Sequence, residues 1–114
     1  MLQRYLQELK NIEWQAVREE LTKGVYGKGL NRSDMTEIKM VLTKVEPSGE
    51  FPLHKDKYHH VFYFLKGIGK GWLGDKSYEI KPGLAVEVPA GELHGYKNTS
   101  GENLLLITLN IPIK

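Results

Sequence analysis

The segment spanning residues 83–98 constrains the fold of this chain more than any other part of the sequence. It reads G-x5-P-x-G-x2-H-x3-N, so two glycines and a proline punctuate a short apolar run, and His94 follows them. Glycine and proline at such positions set turns that need particular backbone dihedral angles. The segment therefore predicts short β-strands separated by a turn at residues 89–91, with His94 just after that turn.

The four histidines of the chain fall in two blocks instead of being scattered. His54, His59 and His60 lie close to Asp56 in the sequence, and His94 stands alone far downstream. A histidine cluster on β-type sequence, answered by a distant histidine between turn signals, indicates a metal site that a β-barrel assembles from two separate strands.

Most of the remaining sequence has β character. Apolar and β-branched runs alternate with turn residues at near-regular spacing, which is typical of a β-sandwich or barrel. The predicted strands are residues 36–45, ending at a turn cluster at 46–49; residues 60–65, ending at Lys66 and Gly67; a hairpin of residues 71–73 and 78–80 around Gly74 and Asp75; and residues 104–113. The fold is therefore predicted to be all-β.

The first ten residues have a different pattern. Leu2, Tyr5, Leu6 and Leu9 recur at three- and four-residue spacing, which predicts a short amphipathic helix that covers an open end of the domain or a partner subunit. We expect one domain over residues 1–114, with a core barrel at about 36–113 and an N-terminal helix or arm at about 1–34.

The composition excludes several classes of protein. Charged residues make up 26% of the chain, and lysines and glutamates are interspersed at a net charge of +2, so we expect no nucleic-acid partner. Without cysteine there is no disulfide framework and no thiolate metal site. We find no signal-peptide core and no apolar run that would span a membrane, so we expect no membrane partner and a cytoplasmic location.

Strand alternation predicts which of the polar side chains meet. Residues two apart in a strand share a face, so His54 and Asp56 project together and His94 shares a face with Tyr96. His60 shares its face with Phe62 and Phe64, which have the character of core residues, so His60 is predicted to point inward. His59 falls on the opposite face, where a surface or dimer-face role is favoured. Imidazole and carboxylate groups suit one divalent transition metal ion, namely iron, manganese, nickel, copper or zinc.

The arrangement resembles the cupin superfamily, over about residues 40–110. The second cupin motif is matched at every fixed position of residues 83–98. The first, usually written G-x5-H-x-H-x3,4-E-x6-G, corresponds to residues 49–67, with three departures. The gap from Gly49 to His54 is one residue short, Asp56 replaces the second histidine, and His60 replaces the glutamate.

The resemblance implies a cupin-type double-stranded β-helix, or jelly-roll barrel, and assigns roles by position. It implies His54, His60 and His94 as metal ligands, with Asp56 as a fourth ligand, a group that acts through a water, or an acid–base catalyst. A loop-capping role is the alternative for Asp56. Tyr96, Phe62, Phe64 and Trp72 are predicted as core or pocket wall. Asn98 is predicted to bond to backbone in its turn.

Three functions remain open on the sequence. The first is a mononuclear metalloenzyme of dioxygenase, decarboxylase or isomerase type, acting on a small oxygenated acid or sugar as its small-molecule partner. The second is a non-catalytic module that binds or senses a sugar or small acid. The third is a metal-independent isomerase or epimerase. A homodimer is also expected, because a small open barrel has strand edges to protect and the first helix and residues 104–107 supply apolar surface.

Overall fold

The computed structural model describes residues 2–113, in which nine strands form one curled antiparallel sheet. The predicted all-β jelly-roll fold is confirmed. In chain order the strands are β1 Gln15–Ala16, β2 Lys23–Gly29, β3 Lys39–His54, β4 His59–Lys66, β5 Gly69–Leu73, β6 Lys76–Ile80, β7 Ala85–Val88, β8 His94–Asn98 and β9 Leu104–Ile111. The order across the sheet is β6-β5-β8-β3-β9-β4-β7, with β2 also beside β3 and β1 beside β2.

Strand β3 changes its partner halfway along its length. Residues 39–45 pair with β9, and residues 50–54 pair with β8. The change occurs at residues 46–49, where the register against β2 shifts and Ser48 adopts a positive φ of 66°. The prediction that the strand ends at this cluster is wrong, because pairing with β2 resumes beyond it. The turn residues form a bulge that bends one strand around a corner of the barrel.

Inward-facing side chains from most strands form the apolar core. Phe64, Leu104 and Leu106 are fully buried, and Phe62 and Tyr96 are nearly so. The rings of Phe62 and Tyr96 make an edge contact with centroids 5.5 Å apart, and Phe62 lies 6.2 Å from the His94 ring. The core and the histidines are thus contiguous, and packed aromatic rings support the imidazoles.

The predicted N-terminal amphipathic helix is wrong. The structure has two short 3-10 turns, Leu2–Tyr5 and Leu9–Asn11, and Leu2 and Leu6 remain more than 70% exposed (73% and 72%). The segment is too short to offset the cost of nucleating an α-helix without tertiary packing. Within residues 2–113, no helix has the length and apolar character needed to cross a membrane.

Two segments of the predicted arm, residues 15–16 and 23–29, form β1 and β2 and join the sheet. Val25 from β2 is a core residue. The hairpin around Gly74 and Asp75 forms as predicted, with Gly74 at a φ of 61°. The last strand ends at Ile111, two residues before the predicted end, because Pro112 has no N–H to continue the ladder.

The outer face of strands β3, β4 and β9 is also apolar. Met40, Tyr63 and Leu65 are exposed there, and Tyr63 lies opposite Ile107 on β9. A sheet with one solvated face ordinarily carries polar residues on that face. The predicted homodimer stays a prediction, and this face is its natural location.

We expect Asn98→Ala to lower the free energy of unfolding by about 2–4 kcal/mol, because it leaves buried backbone groups without partners. The buried Asn98 amide donates to the carbonyls of Val45 and Glu102, and its Oδ1 accepts from the Ser100 N–H. Denaturant unfolding measures the loss. Asn103→Ala, an exposed amide in the same loop, is the matched control, and equal effects of the two substitutions would contradict this account.

We expect size-exclusion chromatography with light scattering to give the wild-type protein a mass of two chains. Tyr63→Glu should shift that mass toward one chain, because a carboxylate in an apolar interface loses its hydration. Leu53→Glu places the same charge at an exposed leucine on the part of β3 that pairs with β8, and should leave the mass unchanged. A monomeric wild type would contradict the prediction.

Candidate functional site

A cavity of about 100 Å³ opens into the barrel beside the histidines. A cavity that holds one water is at least about 10–15 Å³, so this one suits a small ligand of several non-hydrogen atoms. Carbon atoms make most of the wall surface, although eight of the fourteen lining residues, besides two tyrosines, carry charged or polar groups. The lining residues are Val17, Arg18, Val41, Thr43, Phe51, His54, Asp56, Tyr58, His60, Phe62, His94, Tyr96, Thr108 and Asn110.

Strand register brings the histidines together. His54 is the last residue of β3 and pairs directly with His94, the first residue of β8. Their ring centroids lie 4.2 Å apart. His60, near the start of β4, pairs with Asn110 of β9, and its ring lies 4.9 Å from that of His94. Three strands therefore deliver three imidazoles to one end of the cavity.

Asp56 lies in the short loop between β3 and β4, and the glycine turn of the second sequence motif holds that loop in place. The Gly91 N–H donates to the Asp56 carbonyl at 2.8 Å, and Gly91 has a φ of 87° that favours glycine. The neighbouring Ala90 N–H donates to His59 Nδ1 at 2.8 Å. His59 thus supports the turn and lies apart from the other three histidines.

The three imidazoles converge on a single carboxylate oxygen. Asp56 Oδ2 lies 3.0 Å from His54 Nε2, 2.8 Å from His60 Nε2 and 3.6 Å from His94 Nε2. The ligand atoms of His54, Asp56 and His94 all lie within 4.8 Å of one another. His60 does not belong to this group of atoms within 4.8 Å of one another, but its Nε2 lies 2.8 Å from the same Asp56 oxygen. We refer to His54, Asp56, His60 and His94 as the histidine–aspartate cluster.

Each imidazole of the cluster uses its other ring nitrogen as a donor. Nδ1 of His54 donates to the Pro52 carbonyl at 2.7 Å, and Nδ1 of His94 donates to the Glu92 carbonyl at 2.9 Å. Nδ1 of His60 donates to Asn110 Oδ1 at 2.7 Å. Oxygen acceptors at Nδ1 hold a proton there, so in the neutral ring the Nε2 lone pair faces inward, and in the protonated ring Nε2 donates to Asp56.

The donor atoms of His54, Asp56 and His94 lie close enough together to approach a single metal ion. A neutral Nε2 lone pair cannot hydrogen-bond to a carboxylate oxygen, so each short contact is closed either by a proton on Nε2 or by a metal ion between the two atoms. Ligand atoms bound to one ion at about 2.1 Å lie roughly 3.0–3.4 Å apart at tetrahedral or octahedral angles. The separations of 2.8, 3.0 and 3.6 Å around Asp56 Oδ2 bracket that range. His54, Asp56 and His94 have the donor chemistry and mutual spacing of a coordination shell, and His60 adds a fourth donor that must move closer to share the ion. The role of all four as ligands stays a prediction.

The ionisation states also suit metal binding. Burial lowers the pKa of His94 to about 4, against the raising effect of its hydrogen bond to the Glu92 carbonyl. Burial raises the pKa of Asp56, but the hydrogen bond from His60, the charge of His54 and the hydrogen bond from Arg18 together bring it below its ordinary value. At neutral pH, His94 is therefore a neutral imidazole and Asp56 is a carboxylate, as metal ligands must be.

Sequence reasoning missed Arg18, which completes the polar end of the cavity. Its Nη1 donates to Asp56 Oδ1 at 2.8 Å, and its guanidinium lies 5.9 Å from the centroid of the Phe51 ring. Arg18 follows β1 and has a positive φ of 44°. No local pattern marked it, because its partner is 38 residues away in the sequence.

Sequence reasoning also missed four other polar residues that line the cavity, namely Thr43, Tyr58, Thr108 and Asn110. Alternation along β9 would have revealed Thr108 and Asn110. Leu104 and Leu106 face the core, so Thr108 and Asn110 follow on the same face. The Thr108 hydroxyl shares a 2.9 Å hydrogen bond with that of Thr43. Tyr58, whose ring lies 4.9 Å from the His60 ring, also lines the cavity.

The predicted pocket residues divide into two groups. Phe62 and Tyr96 line the cavity. Phe64 shares their face but lies one strand repeat deeper, where it is fully buried in the core. Trp72 is half-buried on β5 beside Lys70 and does not line this cavity. Asn98 bonds to backbone in its turn, as predicted.

Comparisons with solved structures agree with the fold. A polyketide cyclase, RemF, from Streptomyces resistomycificus is 24% identical at a TM-score of 0.83, over 93% of this chain and 78% of that one. A predicted oxalate decarboxylase from Thermotoga maritima is 22% identical at a TM-score of 0.84, over 95% of this chain and 99% of that one. At such identities the likeness shows the fold alone.

Comparison with curated proteins gives auxin-binding protein 1 from Arabidopsis thaliana, 30% identical over 91 residues. The match covers 70% of this chain and 46% of that relative, so the chain spans about half the length of the curated protein it matches. The family model described as the cupin domain matches residues 41–110, which contain both histidine blocks and seven of the nine strands, β3 to β9, almost entirely. The chain belongs to the cupin domain family.

Proposed function

We propose that the chain is a mononuclear metalloenzyme in which His54, His60, His94 and Asp56 hold one divalent transition metal ion. The proposed substrate is a small oxygenated molecule that enters the cavity beside the cluster. The convergence of three Nε2 atoms on Asp56 Oδ2 carries the proposal. Each of the three rings is fixed by an Nδ1 hydrogen bond to a separate oxygen.

A metal ion in this cluster supplies Lewis acidity, which polarises a carbonyl or hydroxyl oxygen of the substrate. The protein supplies a buried site from which bulk water is excluded. The His54, Asp56, His60 and His94 side chains are 9% exposed or less, and the aromatic walls of Phe62 and Tyr96 keep bulk water from the reacting atoms. A site with such walls strengthens every electrostatic interaction inside it.

The donor set favours Lewis-acid chemistry on an anionic or strongly polar substrate. Three neutral imidazoles and one carboxylate neutralise only part of the charge of a divalent ion. The loaded site therefore attracts negatively charged oxygen atoms of the substrate. This favours decarboxylation or isomerisation next to a carbonyl group, and a dioxygenase reaction is the other metal-dependent candidate.

A second candidate is a binding module that holds a small molecule without changing it. The name of the curated relative, auxin-binding protein 1, favours this candidate. Incubation of the metal-loaded protein with 2-oxo acids, 2-hydroxy acids and sugars, followed by product analysis, separates the two. Binding without turnover of any bound compound favours the module.

We expect chelator-treated wild-type protein to take up one Zn²⁺ per chain in isothermal titration calorimetry. His94→Ala should weaken this binding by more than about 100-fold, the upper end of what loss of a supporting contact costs. His59→Asn is the matched control, because it removes an imidazole outside the cluster but keeps an acceptor for the Ala90 N–H, and it should bind as wild type. Thermal melting checks that both variants fold. Stoichiometric zinc in folded His94→Ala would contradict the assignment.

We expect Asp56→Asn to weaken Zn²⁺ binding by about 10- to 100-fold, because an amide oxygen replaces a charged ligand while the side-chain shape is kept. The same titration measures the change. If Asp56 acts as an acid–base catalyst without ligating, the variant keeps full zinc affinity and loses turnover only. That outcome would remove Asp56 from the ligand set and leave the three histidines in place.

A further inference from the structure

Among the residues described as lining the cavity, Arg18 alone has a side chain that stays positively charged at any ordinary pH. It lies at the rim of the cavity. Its side chain is 39% exposed, whereas the Asp56 side chain that it contacts is 6% exposed. One guanidinium donor is used by Asp56 Oδ1 at 2.8 Å, and Nε lies 3.8 Å from the exposed Glu20 carboxylate. A guanidinium has five N–H donors, so Arg18 can bind a second anion while keeping Asp56.

The two oxygens of Asp56 show how far apart a ligand's contacts with Arg18 and with the imidazoles must be. One of its oxygens contacts Arg18, and the other contacts the imidazoles of His54 and His60. A single carboxylate group is therefore long enough to connect the guanidinium with the histidine–aspartate cluster. A ligand carboxylate beside Asp56 can make the same connection, with a neighbouring oxygen directed at the cluster.

The net charge of the cavity lining also favours an anionic ligand. Among the described lining residues, Asp56 is the one carboxylate, and it faces both Arg18 and the cluster. A divalent ion added to this set leaves the cavity with a net positive charge inside apolar walls. Buried charge is stabilised only by a paired counter-charge, so the loaded cavity favours an anion over a neutral ligand of the same shape.

We propose that Arg18 and the histidine–aspartate cluster form a two-point site for a small carboxylate with an oxygen atom on the adjacent carbon, a 2-hydroxy or 2-oxo acid. The inference rests on the proposed function and narrows its substrate class from acids and sugars to acids. Arg18 contacts the carboxylate at the rim, and the hydroxyl or carbonyl oxygen lies toward the cluster. The ring of Phe51 supports the guanidinium from the side.

The test uses glycolate and glycolamide as probes, because the two have the same shape and only glycolate is charged. Binding of each to the zinc-loaded wild-type chain is measured by calorimetry. We expect glycolate to bind at least about 10-fold more tightly than glycolamide. Arg18→Gln should weaken glycolate binding by about 10- to 100-fold, the usual cost of losing a hydrogen bond to a charged group. It should leave glycolamide unchanged.

Arg32→Gln is the matched control, because Arg32 lies outside the cavity lining, and it should bind both probes as wild type. Zinc stoichiometry is measured on every variant, and thermal melting confirms folding. Equal glycolate affinity in wild type and in folded, zinc-loaded Arg18→Gln would overturn the inference and leave the metal site standing. Failure of the wild type to bind zinc would overturn the proposed function and this inference together.

Discussion

The hydrogen bonds at the three Nδ1 atoms are the interactions on which the polar end of the barrel depends. Each bond fixes an imidazole in one orientation and one tautomer, and each acceptor belongs to a strand or to the residues beside it. The acceptors are the Pro52 and Glu92 carbonyls and Asn110 Oδ1. Without these bonds the rings could rotate, and the Nε2 lone pairs would have no common focus.

The cluster is costly to bury, and its surroundings offset that cost. A carboxylate removed from water loses several kcal/mol of hydration unless it is paired. Asp56 gains partners on both oxygens, from Arg18 on one and from the imidazoles on the other. Every buried side-chain nitrogen and oxygen in the described part of the chain has a hydrogen-bond partner. The polar site and the apolar core therefore coexist without an unsatisfied group between them.

The bend in β3 at residues 46–49 determines where His54 lies in the barrel. Before the bulge at residues 46–49 the strand belongs to one side of the barrel, and after it the strand runs beside β8 and ends at His54. The same bend leaves β2 paired along both parts. The loop before β2 can then bring Arg18 over the cavity. A residue from outside the matched family region thus reaches the rim of the site and contacts Asp56.

Local pattern was sufficient for most strands from residue 36 onward and for the direction of most side chains in them, but it missed β1 and β2. The two-residue repeat of β4 predicts that His60 points inward with Phe62, and the turn residues predict the hairpin at Gly74 and the turn before His94. It was not sufficient where a contact joins distant segments. The sequence carries no signal for the pairing of Arg18 with Asp56 or of His60 with Asn110, and it suggests a strand end where β3 bends.

The order of residues was enough to predict a β-barrel with histidines on separate strands, because alternation and turn chemistry act between near neighbours. Which atoms meet became clear only in the folded chain: His54 lies opposite His94, Asp56 Oδ2 is the common focus, and an arginine from the N-terminal region closes the site. These contacts have no local signature because strand register and loop packing are set by the whole barrel at once.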